Sequence, residues 1–596
     1  MVGPKAKDFK ASMLKLLGYI SVFRVRIGIV VVFAVFSTVF SIVGPKLLGK
    51  VTTKLFEGMI AYFSGLDLLT DFNYIMRYIV LLTILYIISA AFAYVQGFVM
   101  SGVSMKIIYN LRKDISEKMN RLPLSYFDKQ THGEVLSRVT NDIDTLGQTL
   151  SQSLTQIITS VTLVLGVIVM MLSISWLMTL LTLVVLPMSS VFIMLVVKQS
   201  QKHFRRQQEY LGHINGHVEE TYTGHNIVQV FNREDETIRT FEGFNDELYK
   251  SAWKSQFLSG MMMPIMNFVG NISYVAVCIL GGYLAVKRSI EVGDIQAFIQ
   301  YTRSFMQPLG QLANISNILQ STGAAAERVF EFLDETEESA ENSTPIRRDD
   351  VKGEVIFEHV RFGYTEDKII INDFSSVVES GRKVAIVGPT GAGKTTVVKL
   401  LMRFYELKSG AIYIDGHNIT EFTRGDLRSL FGMVLQDTWL YNASIMENIR
   451  YGNFDKSDDD VIRAAQAARC DEFIRQMPGG YNMVINEDAN NISQGQKQLL
   501  TIARTFLADP PVLILDEATS SVDTRTEVLV QQAMARLLHG RTSFVIAHRL
   551  STIRDADTIL VMKDGDIIEQ GSHEVLLARG GFYAELYMSQ FAGEEE

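Results

Sequence analysis

The chain has 596 residues, 47% of them hydrophobic, and a formal net charge of −9 at pH 7. This length predicts several domains, and the acidic balance argues against a surface that coats nucleic acid. The two cysteines, Cys278 and Cys470, are too few for a disulfide framework or for a zinc site built from cysteine alone.

The composition changes near residue 335. Before it the chain contains long uncharged runs, whereas after it apolar and charged residues alternate between Gly/Asp turns, as in a soluble α/β domain. We therefore predict a multi-domain membrane protein, with an all-α transmembrane domain at 1–335, a linker at 336–350 and a cytoplasmic α/β domain at 351–596.

Five uncharged runs are long enough to cross a bilayer, since one helical span needs about 20 residues. They are Ile27–Pro45, Tyr78–Met105, Thr145–Val197, Ser255–Val286 and Ile295–Ala326, the last interrupted by Arg303. The third run is long enough for two helices joined near the polar, aromatic Ser173–Trp176, which suits a membrane interface. The sequence therefore predicts six long helices.

Basic residues divide unequally between the two sides of these spans. With the N-terminus inside, the segment before Ile27 and the segments 106–144 and 198–254 carry 21 Lys and Arg, against 6 in the opposite connections. Basic residues favour the cytoplasmic side, so the N-terminus and the α/β domain are predicted to be cytoplasmic, in a cell inner membrane. The amphipathic stretch Met13–Phe23 is predicted to lie along the membrane surface and not to be a signal peptide.

The inside segments 106–144 and 198–254 are much longer than tight turns. We expect them to extend the spans beyond the membrane, with tips near Pro123–Asp142 and Glu219–Glu234. A solvated loop fits their composition equally well, but apolar and aromatic side chains at the tips suggest docking surfaces. These side chains are Tyr126, Phe127, Tyr222, Val228 and Phe231.

Polar residues recur along the sixth span at steps of three and four, which places them on one helical face. They are Gln296, Gln300, Arg303, Gln307, Gln311 and Asn314. A charge costs at least about 2.5–3.5 kcal/mol at the bilayer centre, so this face is expected to line a water-filled substrate path or to meet neighbouring helices through hydrogen bonds. Met261–Met263 add deformable apolar surface suited to tolerant recognition or to ordinary packing.

Residues 384–396 read VAIVGPTGAGKTT, a β-branched run that enters Gly-x₄-Gly-Lys-Thr and then an apolar helical pattern. Such a loop wraps phosphates with backbone N–H groups at a helix N-terminus, while Lys394 neutralises the outer phosphates and the Thr395 hydroxyl holds Mg²⁺. An incidental glycine-rich turn is the alternative. The predicted nucleotide site comprises Gly388, Pro389, Thr390, Gly391, Ala392, Gly393, Lys394, Thr395 and Thr396.

Polar side chains follow three further predicted strands, and each alone would be an ordinary strand end. Asp516 can bind Mg²⁺ through water, and Glu517 can accept a proton from the water that attacks the γ-phosphate. His548 can sense that phosphate, and Gln436 can reach Mg²⁺ or the attacking water. Together with the phosphate loop, these residues indicate ATP hydrolysis.

Taken in order, a set of motifs resembles those of ATP-binding cassette (ABC) exporters of the half-transporter type, in which six spans are fused to one nucleotide-binding domain with a helical subdomain. The motifs are Tyr364, GPTGAGKTT, Gln436, NISQGQKQ at 491–498, LILDE, Ser521–Asp523 and His548. The resemblance covers essentially the whole chain. It implies that Tyr364 stacks on adenine, that 491–498 is the family's signature and that Asp523 belongs to the D-loop.

The resemblance also implies that two nucleotide-binding domains close head to tail, each signature capping ATP held by the opposite chain. Ser493, Gln494, Gly495 and Gln496 are then expected to meet the γ-phosphate of the partner's ATP from a helix N-terminus. Ile492 stands where the family usually has leucine, and Gln494 where a second glycine is commoner. The expected partner is a homologous half-transporter, with a different chain favoured over a second copy.

The resemblance predicts ATP-driven export by alternating access, with ATP and Mg²⁺ as cofactors and with membrane lipids as surroundings. Hydrophobic, amphipathic or cationic compounds of the multidrug type are the expected cargo. A lipid or lipid-like flippase is the alternative. An ATP-gated channel and an ATPase that does not transport belong to different functional classes and stay open from the sequence.

Overall fold

The computed structural model describes residues 8–64, 71–339, 351–435, 438–486, 489, 491–516, 523–546 and 553–591. Within these ranges it leaves out the side chains of 185–193, of several residues in 306–317, and of His132, Val197, Met266, Thr524, Gln590 and Phe591. The chain divides into two compact units. The first comprises Met1–Asn120 and Gly133–Glu335, and the second comprises Arg121–His132 and Thr336–Glu596. The short segment Arg121–His132 thus belongs with the C-terminal unit, although it comes from the middle of the helical part of the sequence.

The described residues of the first unit form helices joined by short turns, with no strand among them. Its elements are α1 (Phe9–Ser21), α2 (Arg24–Phe63), α3 (Phe72–Met119), α5 (His132–Ser137), α6 (Ile143–Gln148), α7 (Leu154–Ile174), α8 (Trp176–Thr223), α9 (His225–Val230), α10 (Glu234–Gly260), α11 (Met262–Val286) and α12 (Val292–Asp334). π-Helical turns at Arg138–Asp142 and Thr149–Ser153 join α5, α6 and α7 into one continuous stretch. The predicted order of a helical membrane domain followed by an α/β domain is confirmed.

Length and composition make four helical segments in the described residues suitable for crossing a membrane. They are Arg24–Phe63, Phe72–Met119, Gly133–Ile174 and Glu234–Val286. The helices α8 and α12 have 48 and 43 residues but are not among these four segments of the described residues, so the six predicted spans stay a prediction.

Small residues let α2 and α12 pack closely. A Cβ added to Gly49 would lie 2.6 Å from the carbonyl oxygen of Gly293, so neither position accommodates a side chain without backbone movement. Nearby, Tyr301 Oη of α12 donates to the carbonyl of Ile42 at 2.8 Å. Close backbone contact of this kind is typical of helix pairs in membranes, where apolar surface alone gives no preference for protein over lipid.

The second unit contains a four-stranded sheet of order β2-β1-β4-β5 and a six-stranded sheet of order β10-β9-β3-β8-β7-β6, counted over its described residues. The strands are β1 (Val355–Phe362), β2 (Ile371–Val378), β3 (Lys383–Val387), β4 (Ser409–Ile414), β5 (His417–Asn418), β6 (Phe431–Val434), β7 (Val512–Asp516), β8 (Thr542–Ile546), β9 (Thr558–Lys563) and β10 (Asp566–Gly571). From β6 to β9 the larger sheet is parallel, and β10 pairs antiparallel to β9. A parallel sheet is covered on both faces, and accordingly β3, β7 and β8 are almost entirely buried.

Helices complete the second unit. They are α4 (Leu124–Phe127), α13 (Lys394–Leu401), α14 (Arg424–Ser429), α15 (Ile445–Arg450), α16 (Asp458–Ala467), α17 (Asp471–Gln476), α18 (Gln494–Ala508), α19 (Thr524–Leu538), α20 (His573–Arg579) and α21 (Phe582–Phe591). One hydrophobic core lies between the two sheets, and a second packs α15–α19 against β6, β7 and β8. Because β3, β8 and β7 are adjacent and parallel, their carboxyl ends lie at one edge of the sheet.

Candidate nucleotide site

The loop between β3 and α13 depends on glycine for its conformation. Gly388, Gly391 and Gly393 have φ angles of 153°, 86° and 100°, in the region that side chains rarely adopt. A Cβ at Gly388 would also lie 2.2 Å from the carbonyl oxygen of Met562 on the adjacent strand. These glycines let the backbone turn tightly from a buried strand into a helix, the conformation in which loops of this kind bind phosphate through their N–H groups.

Lys394 is placed across this loop. Its ammonium donates to the carbonyl oxygens of Gly388 at 2.7 Å and Pro389 at 3.1 Å. Burial lowers the pKa of Lys394, and the nearby carboxylate of Asp516 partly opposes that shift. The end of β7 therefore comes within electrostatic range of the phosphate loop, as the order of the strands requires.

Tyr364 stands beside the first turn of α13. Its hydroxyl lies 3.2 Å from Thr396 Oγ1, and its ring meets the rings of Phe362 and Tyr405 edge to face, each with centroids 5.1 Å apart. The Tyr364 side chain is 43% exposed. A ring held at its edges with part of its surface open suits stacking on a planar base, and adenine stacking stays a prediction.

Oxygen donors suited to Mg²⁺ lie at the same edge of the sheet. Thr395 is exposed in the first turn of α13, and Asp516 ends β7. Among the described residues no group of three or more His, Cys, Asp or Glu is placed to hold a metal. Mg²⁺ in nucleotide sites ordinarily takes one or two protein oxygens and completes its shell with phosphate and water, so these residues fit the ion.

Gln436, Glu517 and His548 lie outside the described residues. The strands that precede them, β6, β7 and β8, end at Val434, Asp516 and Ile546, adjacent to one another and parallel. Their predicted roles in hydrolysis stay predictions.

The residues of the predicted signature form the N-cap and first turn of α18. Ser493 Oγ accepts the N–H of Gln496 at 3.3 Å, and Gln496 Oε1 accepts the N–H of Ser493 at 2.9 Å. Gln494 Nε2 reaches Thr438 Oγ1 at 3.4 Å, while Gly495 is buried. This capping box was not predicted, although Ser-x-x-Gln before an apolar run is the pattern that signals one.

Asp523 begins α19 in the same manner. Its Oδ1 accepts the N–H of Thr526 at 3.0 Å, and this hydrogen bond lowers the pKa of Asp523. Asp523 is therefore an ionised helix cap in this conformation, and its predicted place in the D-loop stays a prediction. Ser521 and Val522 lie outside the described residues.

The first predicted tip is docked within the second unit. Tyr405 Oη donates to the carboxylate of Asp128, just after α4, and Lys399 Nζ lies 3.9 Å from the same carboxylate. Tyr126 of α4 is buried. Sequence reasoning proposed a docking surface here but did not find Tyr405 or Lys399, because neither belongs to a recognisable pattern.

The second predicted tip, around α9, is exposed. Tyr222 is 85% exposed and Phe231 is 68% exposed, and Ile227 and Val230 of α9 are open as well. Four large apolar side chains in ten residues form a patch of the kind that marks protein interaction sites.

The polar face of α12 is partly hydrogen-bonded to neighbouring helices and partly exposed. Gln296 accepts from Thr52 of α2, and Gln311 Oε1 accepts from Ser160 of α7 at 3.1 Å, so these two make hydrogen bonds between helices. Gln300 and Arg303 are exposed, and the Arg303 guanidinium lies 6.0 Å from the ring centroid of Tyr274. The side chains of Gln307 and Asn314 lie outside the described residues.

Comparison with known proteins gives consistent matches. Residues 27–309 match the family described as ABC transporter transmembrane region, and residues 371–520 match the family described as ABC transporter. A fatty acid ABC transporter ATP-binding/permease protein of Mycobacterium tuberculosis (strain CDC 1551 / Oshkosh) is 44% identical, over 98% of this chain and 97% of that protein. An uncharacterized ABC transporter ATP-binding protein of Bacillus subtilis (strain 168), YfiC, is 41% identical over 98% and 95%, and an ATP-dependent lipid A-core flippase of Syntrophus aciditrophicus (strain SB) is 35% identical over 86% and 86%.

Proposed function

Because this chain belongs to the ABC transporter family, as an ATP-hydrolysing exporter half-transporter with one membrane domain and one nucleotide-binding domain, we propose a substrate class for its transport. It exports amphipathic molecules that carry an apolar chain and an anionic head group, of the fatty-acid or lipid kind. The membrane is the cell inner membrane, with the N-terminus and the nucleotide-binding domain on the cytoplasmic side, as the distribution of Lys and Arg favours.

The exposed guanidinium of Arg303 carries this proposal. A charge on a membrane-spanning helix is costly, by about 2.5–3.5 kcal/mol on insertion scales, and such charges mark substrate paths. A carboxylate or phosphate head group offsets that cost by pairing with the guanidinium, and the exposed amide of Gln300 lies one turn before it. The neighbouring Tyr274 ring is 42% exposed and gives an apolar surface beside the cation.

The names of two relatives support the lipid class. One is named a fatty acid transporter and another a lipid A-core flippase, and both align with most of this chain. Lipophilic compounds of the multidrug type are the second candidate, favoured by the exposed thioether of Met263 near the start of α11, since methionine side chains adapt to varied apolar shapes. A cationic compound fits less well beside Arg303.

Half-transporters of this family dimerise, and we propose a homologous half-transporter as the partner. The exposed patch around α9, with Tyr222 and Phe231, supports an intermolecular contact, as does an exposed aromatic group on the second unit. That group contains Trp439, Tyr441, Tyr451 and Phe454. A related but different chain is favoured over a second copy as the partner. Purification of this chain alone and together with the product of its genomic neighbour decides between a homodimer and a heterodimer.

ATP binds on the phosphate loop, where backbone N–H groups and Lys394 meet the phosphates. Thr395, Asp516 and Gln436 would hold Mg²⁺, which would neutralise phosphate charge when bound. Glu517 accepts the proton of the attacking water, His548 contacts the γ-phosphate and Asp523 keeps the start of α19 in place. ATP binding stabilises contacts between the two nucleotide-binding domains and hydrolysis removes them, which shifts the membrane domains between inward-open and outward-open states.

Uptake into inside-out vesicles tests the substrate class. We expect ATP-driven uptake of a labelled long-chain fatty acid, and Arg303→Gln is expected to raise its KM by about tenfold or more, because a charged hydrogen bond is worth about 1.5–3 kcal/mol. Arg77→Gln removes another exposed arginine, on α3, and serves as the matched control. Uptake of a lipophilic cation without uptake of the fatty acid, unchanged by Arg303→Gln, contradicts the proposal and favours the multidrug class.

A further inference from the structure

The residues that follow α12 are tied to the second unit by a buried arginine. Arg424, at the start of α14, is 5% exposed. Its Nη1 donates to the carbonyl of Ser339 at 2.9 Å and its Nη2 to Ser339 Oγ at 2.8 Å. Its Nε lies 3.3 Å from Glu338 Oε2. One guanidinium therefore binds two successive linker residues through backbone, hydroxyl and carboxylate.

Glu406 completes this arrangement from the other side. Its Oε1 accepts from Arg424 Nη2 at 2.8 Å, from Ser339 Oγ at 3.0 Å and from Arg403 Nε at 3.1 Å. Burial alone raises the pKa of Glu406, but the hydrogen bonds and charges of Arg403, Ser339 and Arg424 outweigh it and lower that pKa below its ordinary value. The carboxylate is therefore charged at neutral pH. We call Glu338, Ser339, Arg403, Glu406 and Arg424 the linker clamp.

The opposite side of the linker contacts the segment that carries α4. The N–H of Glu338 donates to the carbonyl of Arg121 at 3.0 Å, and Arg121 Nη1 lies 3.7 Å from Glu337 Oε2. This segment and the clamp residues together line a cavity of about 280 Å³, to which Pro123, Ser125 and Tyr405 contribute. Residues 337–339 thus lie between α4 and the α/β core, and all these residues belong to the second unit.

We propose that the linker clamp couples ATP-driven movement of the nucleotide-binding domain to the helix α12 of the same chain. A free connection over the 15 residues 336–350 would have an end-to-end distance of about 20 Å and would absorb movement. The clamp leaves only the four peptide units from Asp334 to Glu338, which span at most about 14 Å. A displacement of the second unit is then transmitted to the end of the helix that carries Arg303.

Arg424 is a positioning residue in this proposal, since it holds the linker and lies outside the nucleotide site. The clamp contacts are made by linker residues of this chain, so they are additional to the ATP-dependent movement that is general in the family. The proposal does not depend on which molecule is exported.

The test separates ATP hydrolysis from movement of the membrane domain. The full chain with its partner is placed in lipid nanodiscs, both cysteines are replaced by alanine, and spin labels are introduced at Phe63 and Val286, which are 80% and 85% exposed at the ends of α2 and α11. The distance distribution between the labels is recorded with and without MgATP, and ATP hydrolysis is measured on the same samples. The variants are Arg424→Gln and, from the linker side, Glu338→Gln combined with Ser339→Ala.

Arg382→Gln is the matched control, because Arg382 pairs with Glu379 and Asp557 in the same unit and not with the described linker residues 336–339. We expect the parent and the control to change their distance distribution with MgATP. In both clamp variants the ratio of changed to unchanged populations with MgATP falls by about tenfold or more, the factor expected when a charged hydrogen bond is lost from one state of a two-state equilibrium. ATP hydrolysis stays within about twofold of the parent.

An unchanged response to MgATP in the linker-side double variant, with the clamp bonds removed and hydrolysis retained, overturns the proposal. Equal loss of hydrolysis and of the distance response in that variant also overturns it, because the clamp would then act on the nucleotide-binding domain and not on coupling. Should Arg424→Gln fail to fold, the linker-side variant decides, since it changes no residue of the α/β core.

Discussion

Ser493 and Gln496 hold each other at the start of α18: the Ser493 hydroxyl accepts the Gln496 N–H, and the Gln496 amide oxygen accepts the Ser493 N–H. These bonds satisfy backbone donors that the start of a helix leaves without an intrahelical partner. The Gln496 side chain thus fixes the helix start, whereas the Ser493 hydroxyl retains its hydrogen to donate to a further acceptor.

Two substitutions separate the structural role of Ser493 from its predicted contact with the partner's ATP. Ser493→Ala is expected to lower stability by about 0.5–2 kcal/mol because the cap is lost. Ser493→Asp keeps a good cap and therefore the stability, but a carboxylate cannot donate and repels phosphate, so ATP hydrolysis is expected to fall at least about tenfold. Thermal unfolding and steady-state ATP hydrolysis measure the two effects. Parent-like hydrolysis in Ser493→Asp would restrict Ser493 to helix capping.

Glu517→Gln is expected to bind ATP as the parent does and to hydrolyse it about 10²–10⁴-fold more slowly, which is the contribution typical of a general base. Equilibrium ATP binding and single-turnover hydrolysis provide the measurement. Glu527→Gln, which neutralises a carboxylate in the first turn of α19, is the control and is expected to leave hydrolysis nearly unchanged. Hydrolysis by Glu517→Gln at the parent rate would exclude Glu517 as the base.

As the pH rises, ATP affinity is expected to weaken before the pH reaches 10.5, the ordinary pKa of lysine. Burial lowers the pKa of Lys394 in the folded chain, so its proton is lost earlier there than in the unfolded chain. Between the two pKa values the folded state binds fewer protons, so rising pH favours folding while it removes the charge that binds phosphate. The dissociation constant of ATP measured between pH 7.5 and 10 tests this. Lys394→Ala is expected to bind ATP more weakly and to lose the weakening of ATP affinity at alkaline pH. If that weakening persisted in Lys394→Ala, another group would be its cause.

The buried carboxylate of Asp142 depends on Arg328. Arg328 Nε donates to Asp142 Oδ2 at 2.8 Å and a second guanidinium nitrogen pairs with Oδ1, between α12 and the π-helical turn Arg138–Asp142. Arg328→Gln is expected to destabilise the first unit by about 1–3 kcal/mol, because a charge that is 5% exposed loses its partner. Thermal unfolding in nanodiscs measures the loss. Adding Asp142→Asn is expected to restore part of it, and additive losses in the double variant would show that the two side chains do not interact.

Local sequence pattern was sufficient to predict the long helices and the strand–turn–helix form of the phosphate loop. Uncharged runs predicted the long helices, and a buried β-branched run before Gly388 predicted a strand, a tight turn and a helix. These features depend on hydrophobic period and on glycine's backbone freedom, both of which act over a few residues. The parallel sheet then brings the loop and Asp516 to one edge.

Packing over long sequence separations decided the rest. Arg424 meets Ser339 across 85 positions, and Tyr405 meets Asp128 across 277, and no local pattern identifies either pair. The polar face of α12 looks uniform in the sequence, yet Gln311 bonds to Ser160 while Arg303 is exposed. The sequence by itself determined the elements and the motif that binds phosphate, because those follow from neighbouring residues; only the tertiary structure decided which charges pair and which stay open, because that depends on which surfaces the fold brings together.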